Sequence, residues 1–186
     1  MTFAVLLVCT GNLCRSVAAE QMLTAVLRGH PVELMSAGTH AQNGASAHPL
    51  TVQAVADSGS APFTHAAQRL VPEAVAVADL VLTATRDHRL AVVEADPTAA
   101  RRTFTVLEFA RLVRADGDGR GTLAELRDSA AASRAGAPAT AADDLADPVQ
   151  GSYADHVRMV QTLAPAVAVI ADAFAHVSPR LQQTSL

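Results

Sequence analysis

The sequence predicts an α/β fold, in which a single doubly wound domain over residues 1–186 has a four-stranded parallel sheet with helices on both faces. Short aliphatic and β-branched runs alternate along the chain with segments of helical spacing, the pattern of parallel βαβ units. The first run, residues 2–8, is continuous, as expected for a strand buried on both faces. The length of 186 residues and the hydrophobic share of 50% suit one domain with one core.

The elements follow in order from the composition of each segment. Four runs rich in β-branched and aliphatic residues are predicted as the strands: residues 2–8, 32–36, 79–83 and 103–106. Helical spacing predicts four helices that follow these strands: from Arg15 to Gly29, from Pro49 to Gly59, over 86–94 and over 107–113. Proline suits the first turn of a helix and glycine suits the residue after the last, so these residue types set several of the bounds.

The second part of the chain adds a segment of different composition and one long helix. Residues 115–142 combine glycine-rich and alanine-rich stretches, and we interpret them as a helical or flexible insertion in the domain. Within it, Thr122 and Glu125 form a capping-box pattern, which predicts a surface helix that begins at about residue 123 and ends at about residue 134. The last helix is expected after Ser152, with an apolar face that packs in the core.

Charge and cysteine content exclude several classes of protein. The net charge of −4 lacks the basic excess that a nucleic-acid or anionic-membrane surface needs. No basic residue precedes the first apolar run, and no segment is expected to reach the roughly 20 apolar residues of a membrane span, so a cytoplasmic location is predicted. The two cysteines, Cys9 and Cys14, are too few for a disulfide framework or a zinc site, and we expect neither a metal nor another cofactor.

The residues between the first strand and the first helix are suited to binding an anion. Cys9 is expected at the carboxyl end of the strand, where open α/β sheets bind ligands, and Arg15 at the helix N-terminus, which attracts negative charge. Gly11 and Asn12 tolerate the left-handed backbone of a tight turn, whose N–H groups can bind a tetrahedral oxyanion. This environment favours a cysteine thiolate, and an arginine fork can donate two hydrogen bonds to phosphate. We therefore predict a phosphate-binding loop after the first strand.

The loop lies within a longer motif, Val-Cys-Thr-Gly-Asn-Leu-Cys-Arg-Ser over residues 8–16. Together with Ser-Ala-Gly-Thr at 36–39, Ala-Asp-Leu-Val-Leu-Thr at 78–83 and Asp147-Pro148, this motif resembles the low-molecular-weight protein tyrosine phosphatases, in the family's order and over most of the chain outside the insertion. The resemblance implies a cysteine-dependent hydrolase of phosphoric monoesters. It implies that Cys9 is the nucleophile, that Arg15 clamps the phosphate and that Asp147 is the general acid.

The resemblance also implies roles for residues around these three. Ser16 would donate a hydrogen bond to the Cys9 sulfur, and His65 would brace the loop through Asn12. Four further residues complete the phosphate-binding loop: Thr10, Gly11, Leu13 and Cys14. Cys14 either packs under the loop or traps an oxidised Cys9 as a reversible disulfide, and the sequence leaves these alternatives open.

The substrate that the resemblance implies is a phosphorylated protein, above all one carrying phosphotyrosine, with inorganic phosphate as the product. Leu13 is apolar, as in the tyrosine-directed members of the family, whereas threonine there marks the arginine-phosphatase branch. Val149 and Gln150 stand where family members commonly have aromatic residues after Asp-Pro. A small phosphoester is therefore an alternative substrate.

Two other functions would use the same loop. The first is an arsenate reductase recycled by a small external thiol, because the loop can present a thiolate to arsenate. The second is a non-catalytic phosphate-binding or regulatory module, which predicts that Asp147 lies far from Cys9. If Asp147 is not the acid, Asp143 and Asp144 are the second choices, although neither is followed by proline.

Overall fold

The computed structural model describes residues 2–115 and 121–177. Four parallel strands form one sheet in the order β2-β1-β3-β4: β1 (Phe3–Cys9), β2 (Val32–Gly38), β3 (Leu80–Thr83) and β4 (Thr103–Thr105). The predicted four-stranded parallel sheet is confirmed. The predicted fourth strand is one residue too long, because Val106 begins the next helix.

Seven α-helices are present among the described residues: α1 (Arg15–Val26), α2 (Pro49–Asp57), α3 (Pro72–Val77), α4 (Arg86–Ala95), α5 (Val106–Ala115), α6 (Leu123–Ser133) and α7 (Tyr153–Val177). Two 3₁₀ helices accompany them, Pro97–Arg102 and Ala141–Asp143. The sequence did not predict α3, which has only six residues and too few turns to show a helical period.

Both faces of the central strand β1 are buried, each against its own layer of helices. Val5 and Leu7 belong to the larger core cluster, which includes apolar residues of α1, α2, α5, α6 and α7. Leu6 and Val8 point into a smaller cluster with Val92 of α4 and apolar residues of α3. Successive side chains of a strand point to opposite faces, so this division confirms that helices cover both sides of the sheet.

The long helix α7 is, by length and composition alone, apolar enough to cross a membrane, contrary to the expectation that no segment would be. The core helix of a globular domain can be equally long and apolar, so length and composition alone do not distinguish it from a membrane span. Leu163, Ile170 and Phe174 of this helix are buried in the larger core cluster. The predicted apolar face of the last helix is thus packed against the domain.

The segment interpreted as an insertion contributes to the core through α6. Leu123, Leu126 and Ala130 are buried in the larger cluster, so the predicted surface helix has one buried side. The capping box of Thr122 and Glu125 is present, as predicted. Residues 116–120, on which part of the predicted flexibility falls, lie outside the described residues.

Candidate active site

The segment from Cys9 to Arg15 connects the carboxyl end of β1 to the first residue of α1. Asn12 adopts a φ of 54°, the left-handed conformation that the tight turn requires. Gly38 of the neighbouring strand lies directly beside the loop, since a Cβ there would be 2.5 Å from the Thr10 carbonyl oxygen and 2.8 Å from the Asn12 nitrogen. Only glycine fits at residue 38 without moving the backbone of the loop.

The side chain of Asn12 holds the loop in this shape. It is fully buried; its Nδ2 donates to Ser16 Oγ and to Ser36 Oγ, both at 2.9 Å, and its Oδ1 accepts from the Gln68 backbone nitrogen at 2.8 Å. His65 Nε2 lies 2.9 Å from the Asn12 carbonyl oxygen. With these partners the buried amide is well satisfied, which stabilises one conformation of the loop.

The sulfur of Cys9 has a hydroxyl neighbour. Cys9 Sγ lies 3.0 Å from Ser16 Oγ, and both residues are buried. Ser16 Oγ accepts a hydrogen bond from Asn12 Nδ2, which leaves the hydroxyl proton of Ser16 free to point at the sulfur. The Ser16 hydroxyl is therefore placed to donate a hydrogen bond to the Cys9 sulfur.

Arg15 lies under the same loop, with 6% of its side chain exposed. Its Nη2 donates to Thr10 Oγ1 at 3.1 Å and to Asp147 Oδ2 at 2.5 Å. Among the described residues its Nε is buried and has no hydrogen-bond partner. A buried guanidinium with an unused donor is a site for an anion, because leaving that donor unpaired costs free energy.

Asp147 lies at the mouth of the loop, with 40% of its side chain exposed. Its Oδ1 accepts from the Val149 backbone nitrogen at 3.2 Å, while its Oδ2 pairs with Arg15. A cleft of about 130 Å³ brings these groups together, and its walls are Cys9, Thr10, Gly11, Leu13, Cys14, Arg15, Asp147 and Val149. The non-catalytic hypothesis expected Asp147 to be remote from Cys9, yet the two residues line one cleft.

The two alternative acids are engaged elsewhere. Asp143 pairs with Arg111 of α5 at 3.1 Å, and Asp144 pairs with Arg86 of α4 at 2.8 Å. The Leu145 backbone nitrogen donates to the Ala84 carbonyl oxygen at 2.8 Å, which joins this segment to the end of β3. These contacts fix the segment that precedes Asp147.

Cys14 differs from Cys9 in its surroundings. Both residues are free cysteines in the structure. Burial raises the pKa of the Cys14 thiol to about 11, so this thiol stays protonated at neutral pH. A disulfide between the two on oxidation of Cys9 stays a prediction.

Sequence reasoning missed His88, which comes from α4 and contacts the loop. Its Nε2 lies 2.8 Å from Thr10 Oγ1 and its Nδ1 lies 2.7 Å from Thr85 Oγ1. The position of His88 just after β3 could have identified it. β3 is hydrogen-bonded to β1, and the carboxyl ends of the two parallel strands meet at one edge of the sheet.

Comparison with known proteins agrees with this geometry. Residues 4–119 match the family model described as low molecular weight phosphotyrosine protein phosphatase. The chain belongs to this phosphatase family. The matched region contains the whole loop and His65 but ends before residue 147. Asp147 is therefore included in the candidate site because of its contact with Arg15.

Individual members of the phosphatase family are similar over parts of the chain. A probable low molecular weight protein-tyrosine-phosphatase, EpsP, from Ralstonia nicotianae is 40% identical over 44% of this chain and 55% of its own length. The chain thus spans little more than half of that relative. A protein-arginine-phosphatase from Geobacillus stearothermophilus is 36% identical over 59% of this chain and 72% of its own.

Solved structures of the phosphatase family share the fold over a longer range. The low molecular weight protein tyrosine phosphatase from T. tengcongensis superposes with a TM-score of 0.71 at 25% identity. The superposition covers 92% of this chain and 99% of that one. The α/β fold of the family therefore extends beyond the region that the family model matches.

Proposed function

We propose that this protein is a cysteine-dependent hydrolase of phosphoric monoesters that acts on phosphotyrosine in proteins. The observation that carries the proposal is the cleft shared by Cys9, Arg15 and Asp147, in which Arg15 has a buried donor without a partner among the described residues. A phosphoryl transfer needs a nucleophile, stabilisation of negative charge and a proton for the leaving oxygen. These three side chains supply one requirement each.

In the first step, Cys9 Sγ attacks the phosphorus as a thiolate. A sulfur–phosphorus bond forms while the bond from phosphorus to the leaving oxygen breaks, and that oxygen takes a proton from the Asp147 carboxyl. Arg15 and the backbone N–H groups of the loop bind the equatorial oxygens and stabilise their charge in the transition state. The products of this step are the alcohol or phenol and a cysteinyl phosphate.

In the second step, water attacks the cysteinyl phosphate and gives its proton to the Asp147 carboxylate. The sulfur–phosphorus bond breaks, the electron pair returns to sulfur as a thiolate, and inorganic phosphate is released. Ser16 Oγ, 3.0 Å from the sulfur, can stabilise the departing thiolate with a hydrogen bond. No metal or other cofactor takes part in either step of the proposed reaction.

The contact between Arg15 and Asp147 fits a role in both binding and catalysis. Nη2 of Arg15 donates to Asp147 at 2.5 Å. Phosphate oxygens accept from a guanidinium more strongly than one carboxylate oxygen does, because the fork can pair with two of them. Phosphate binding therefore releases the Asp147 carboxyl toward the leaving oxygen.

The walls of the cleft favour an aryl phosphate. Leu13 and Val149 are apolar and line the cleft beside Cys9, so they can pack against an aromatic ring. The names of the similar proteins include both a tyrosine and an arginine phosphatase. We propose phosphotyrosine because Leu13 is apolar where threonine marks the arginine-phosphatase branch. We also propose a cytoplasmic location, where thiols such as Cys9 stay reduced.

The experiment is an assay of aryl phosphate hydrolysis in the presence of a metal chelator. We expect turnover by the wild-type protein and loss of at least about a thousandfold in Cys9→Ser, because serine lacks the acidic thiol. A panel of phosphotyrosine peptide, phosphoarginine and sugar phosphates then identifies the substrate class. Full activity in Cys9→Ser would refute the cysteine mechanism, and arsenate-dependent thiol oxidation without phosphate release would favour the arsenate reductase.

A further inference from the structure

His88 links two elements at the edge of the sheet. It lies in the first turn of α4, is 8% exposed, and both of its ring nitrogens have a hydroxyl partner. Nδ1 lies 2.7 Å from Oγ1 of Thr85, which is the N-cap residue of its own helix. Nε2 lies 2.8 Å from Oγ1 of Thr10, which belongs to the phosphate-binding loop.

The hydroxyl of Thr10 is also a partner of the phosphate clamp. Thr10 Oγ1 accepts a hydrogen bond from Arg15 Nη2 at 3.1 Å. A hydroxyl has one proton and two lone pairs, so its orientation depends on all of its partners. The imidazole of His88 restricts this orientation and keeps one lone pair of Thr10 directed at Arg15.

We propose that His88 is a positioning residue of the phosphate site, which orients Arg15 through the hydroxyl of Thr10. The proposal rests on the proposed function, since Arg15 is the group that binds phosphate there. His88 does not touch the reacting atoms. Its contribution is to hold the guanidinium in the geometry that binds two phosphate oxygens.

The charge state of His88 suits this role. Burial and the nearby Arg15 lower the pKa of His88 to about 4, so the ring is neutral at neutral pH. A neutral imidazole has one donor and one acceptor nitrogen, which matches a pair of hydroxyl partners. It also adds no positive charge that would repel the guanidinium of Arg15.

The junction of β3 and α4, just before His88, also contacts the segment that precedes Asp147. Arg86, two residues before His88, pairs with Asp144 at 2.8 Å, and the Ala84 carbonyl oxygen accepts from the Leu145 backbone nitrogen. The junction of β3 and α4 therefore contacts the phosphate-binding loop through His88 and the segment before Asp147 through these bonds.

Two matched substitutions separate the two contacts of His88. The amide of glutamine can reach the place of Nε2 and so can replace the contact with Thr10. The amide of asparagine can reach only the place of Nδ1 and so can replace the contact with Thr85. Both remove the same ring, and we expect similar melting temperatures for His88→Gln and His88→Asn.

The readout is the affinity for inorganic phosphate by calorimetry, together with kcat and KM for nitrophenyl phosphate. We expect His88→Asn to weaken phosphate binding about 3- to 10-fold, the effect of one lost hydrogen bond, and His88→Gln to stay within about twofold of wild type. In a Thr10→Val background the difference between the two variants should disappear, because the hydroxyl that relays it is gone.

Equal phosphate affinities for His88→Gln and His88→Asn would overturn the proposal, and so would a difference that persists in Thr10→Val. Phosphate affinity is measured without turnover, so the role of His88 is tested separately from the proposed function. A wild-type protein that binds phosphate but hydrolyses no phosphoester would refute the hydrolase and leave the role of His88 to be decided by its variants. A protein that binds no phosphate would refute both.

Discussion

At the scale of single residues, the candidate site depends on side chains that each have more than one partner. Asn12 connects the loop to Ser16 and to Ser36, and Ser16 in turn lies beside the Cys9 sulfur. Ser36 Oγ donates to Glu20 Oε2 at 2.6 Å, which extends the network to α1. Hydrogen bonds of this kind orient a nucleophile more accurately than packing alone, because they fix direction as well as distance.

Replacement of Asp147 by asparagine tests its role as the acid. Asparagine keeps the size of the side chain but donates no proton to the leaving oxygen, so kcat/KM, which reports the first step, should fall about 10²- to 10⁴-fold for an alkyl or unactivated aryl phosphate. The loss should be much smaller for nitrophenyl phosphate, because nitrophenolate leaves without a proton. The measurement is kcat/KM for both substrates.

Equal losses on both substrates would remove Asp147 from the acid role. A fall caused by misfolding would also be equal on both, so the melting temperature of Asp147→Asn serves as the control. Asp144→Asn is the matched variant, since Asp144 pairs with Arg86 and lies outside the residues that line the cleft. Its losses should show no dependence on the leaving group.

At the scale of elements, the strand–loop–helix unit at the start of the chain is the part that the sequence predicted best. Cys9 and Arg15 are six positions apart in one local motif, so their proximity follows from the turn between β1 and α1. Gly38 and His88 approach the loop from other elements, and only the strand order brings them there. Residues of this kind escape local patterns, because their spacing along the chain carries no period.

The helix α6 shows a second limit of local patterns. Its capping box was predictable, since Thr122 and Glu125 are three positions apart. Besides the buried Leu123, Leu126 and Ala130, the helix is held by Arg134 just after its end, and this polar contact was not predictable from a local pattern. Arg134 Nε pairs at 2.8 Å with the fully buried Glu108, and its guanidinium lies 4.1 Å from the ring centroid of Phe104.

Substitution Arg134→Leu tests this attachment. It leaves the carboxylate of Glu108 buried without its charged partner, and the free energy of unfolding should fall by about 3–5 kcal/mol in a denaturant titration. The double variant Arg134→Leu with Glu108→Gln should recover much of that loss, because the amide of glutamine needs no counter-ion. Arg158→Leu breaks an exposed pair with Asp155 and should change stability little.

A double variant that is no more stable than Arg134→Leu would contradict this account. It would mean that the packing of Arg134 on Phe104, and not its pairing with Glu108, fastens α6 to the domain. The comparison thus separates charge from contact area.

At the scale of the whole molecule, one sheet brings the two layers of helices together at its carboxyl edge. Arg15 begins α1, which packs on the larger core cluster, whereas His88 lies on α4, which packs on the smaller one. The two side chains meet through Thr10 at the end of β1. The site therefore depends on the packing of both layers.

The dependence of stability on pH follows from the buried histidines. Burial lowers the pKa of His88 to about 4 and also lowers the pKa of His156. In the unfolded chain a histidine titrates near pH 6.5, so between about pH 6.5 and pH 4 the unfolded state binds the proton first. The free energy of unfolding should fall as the pH falls through this window, by about 3 kcal/mol for His88.

The variant His88→Gln isolates this contribution, because glutamine does not titrate. The difference in unfolding free energy between wild type and His88→Gln should be constant above about pH 7 and should shift against wild type as the pH falls to about 4. A difference that does not change with pH would show that His88 is protonated equally in both states. The carboxyl groups contribute equally to the pH dependence of both proteins, so their contribution cancels in the difference.

The covalent state of Cys9 during turnover tests the central claim most directly. Asp147→Asn should still form the cysteinyl phosphate from nitrophenyl phosphate but hydrolyse it slowly, since the base for water is missing. Acid quenching during turnover, followed by mass spectrometry with fragmentation, should locate a phosphoryl group on Cys9, and Cys9→Ala should carry none. Phosphate release with the phosphoryl group on another residue, or with no phosphoenzyme in either variant, would contradict the account.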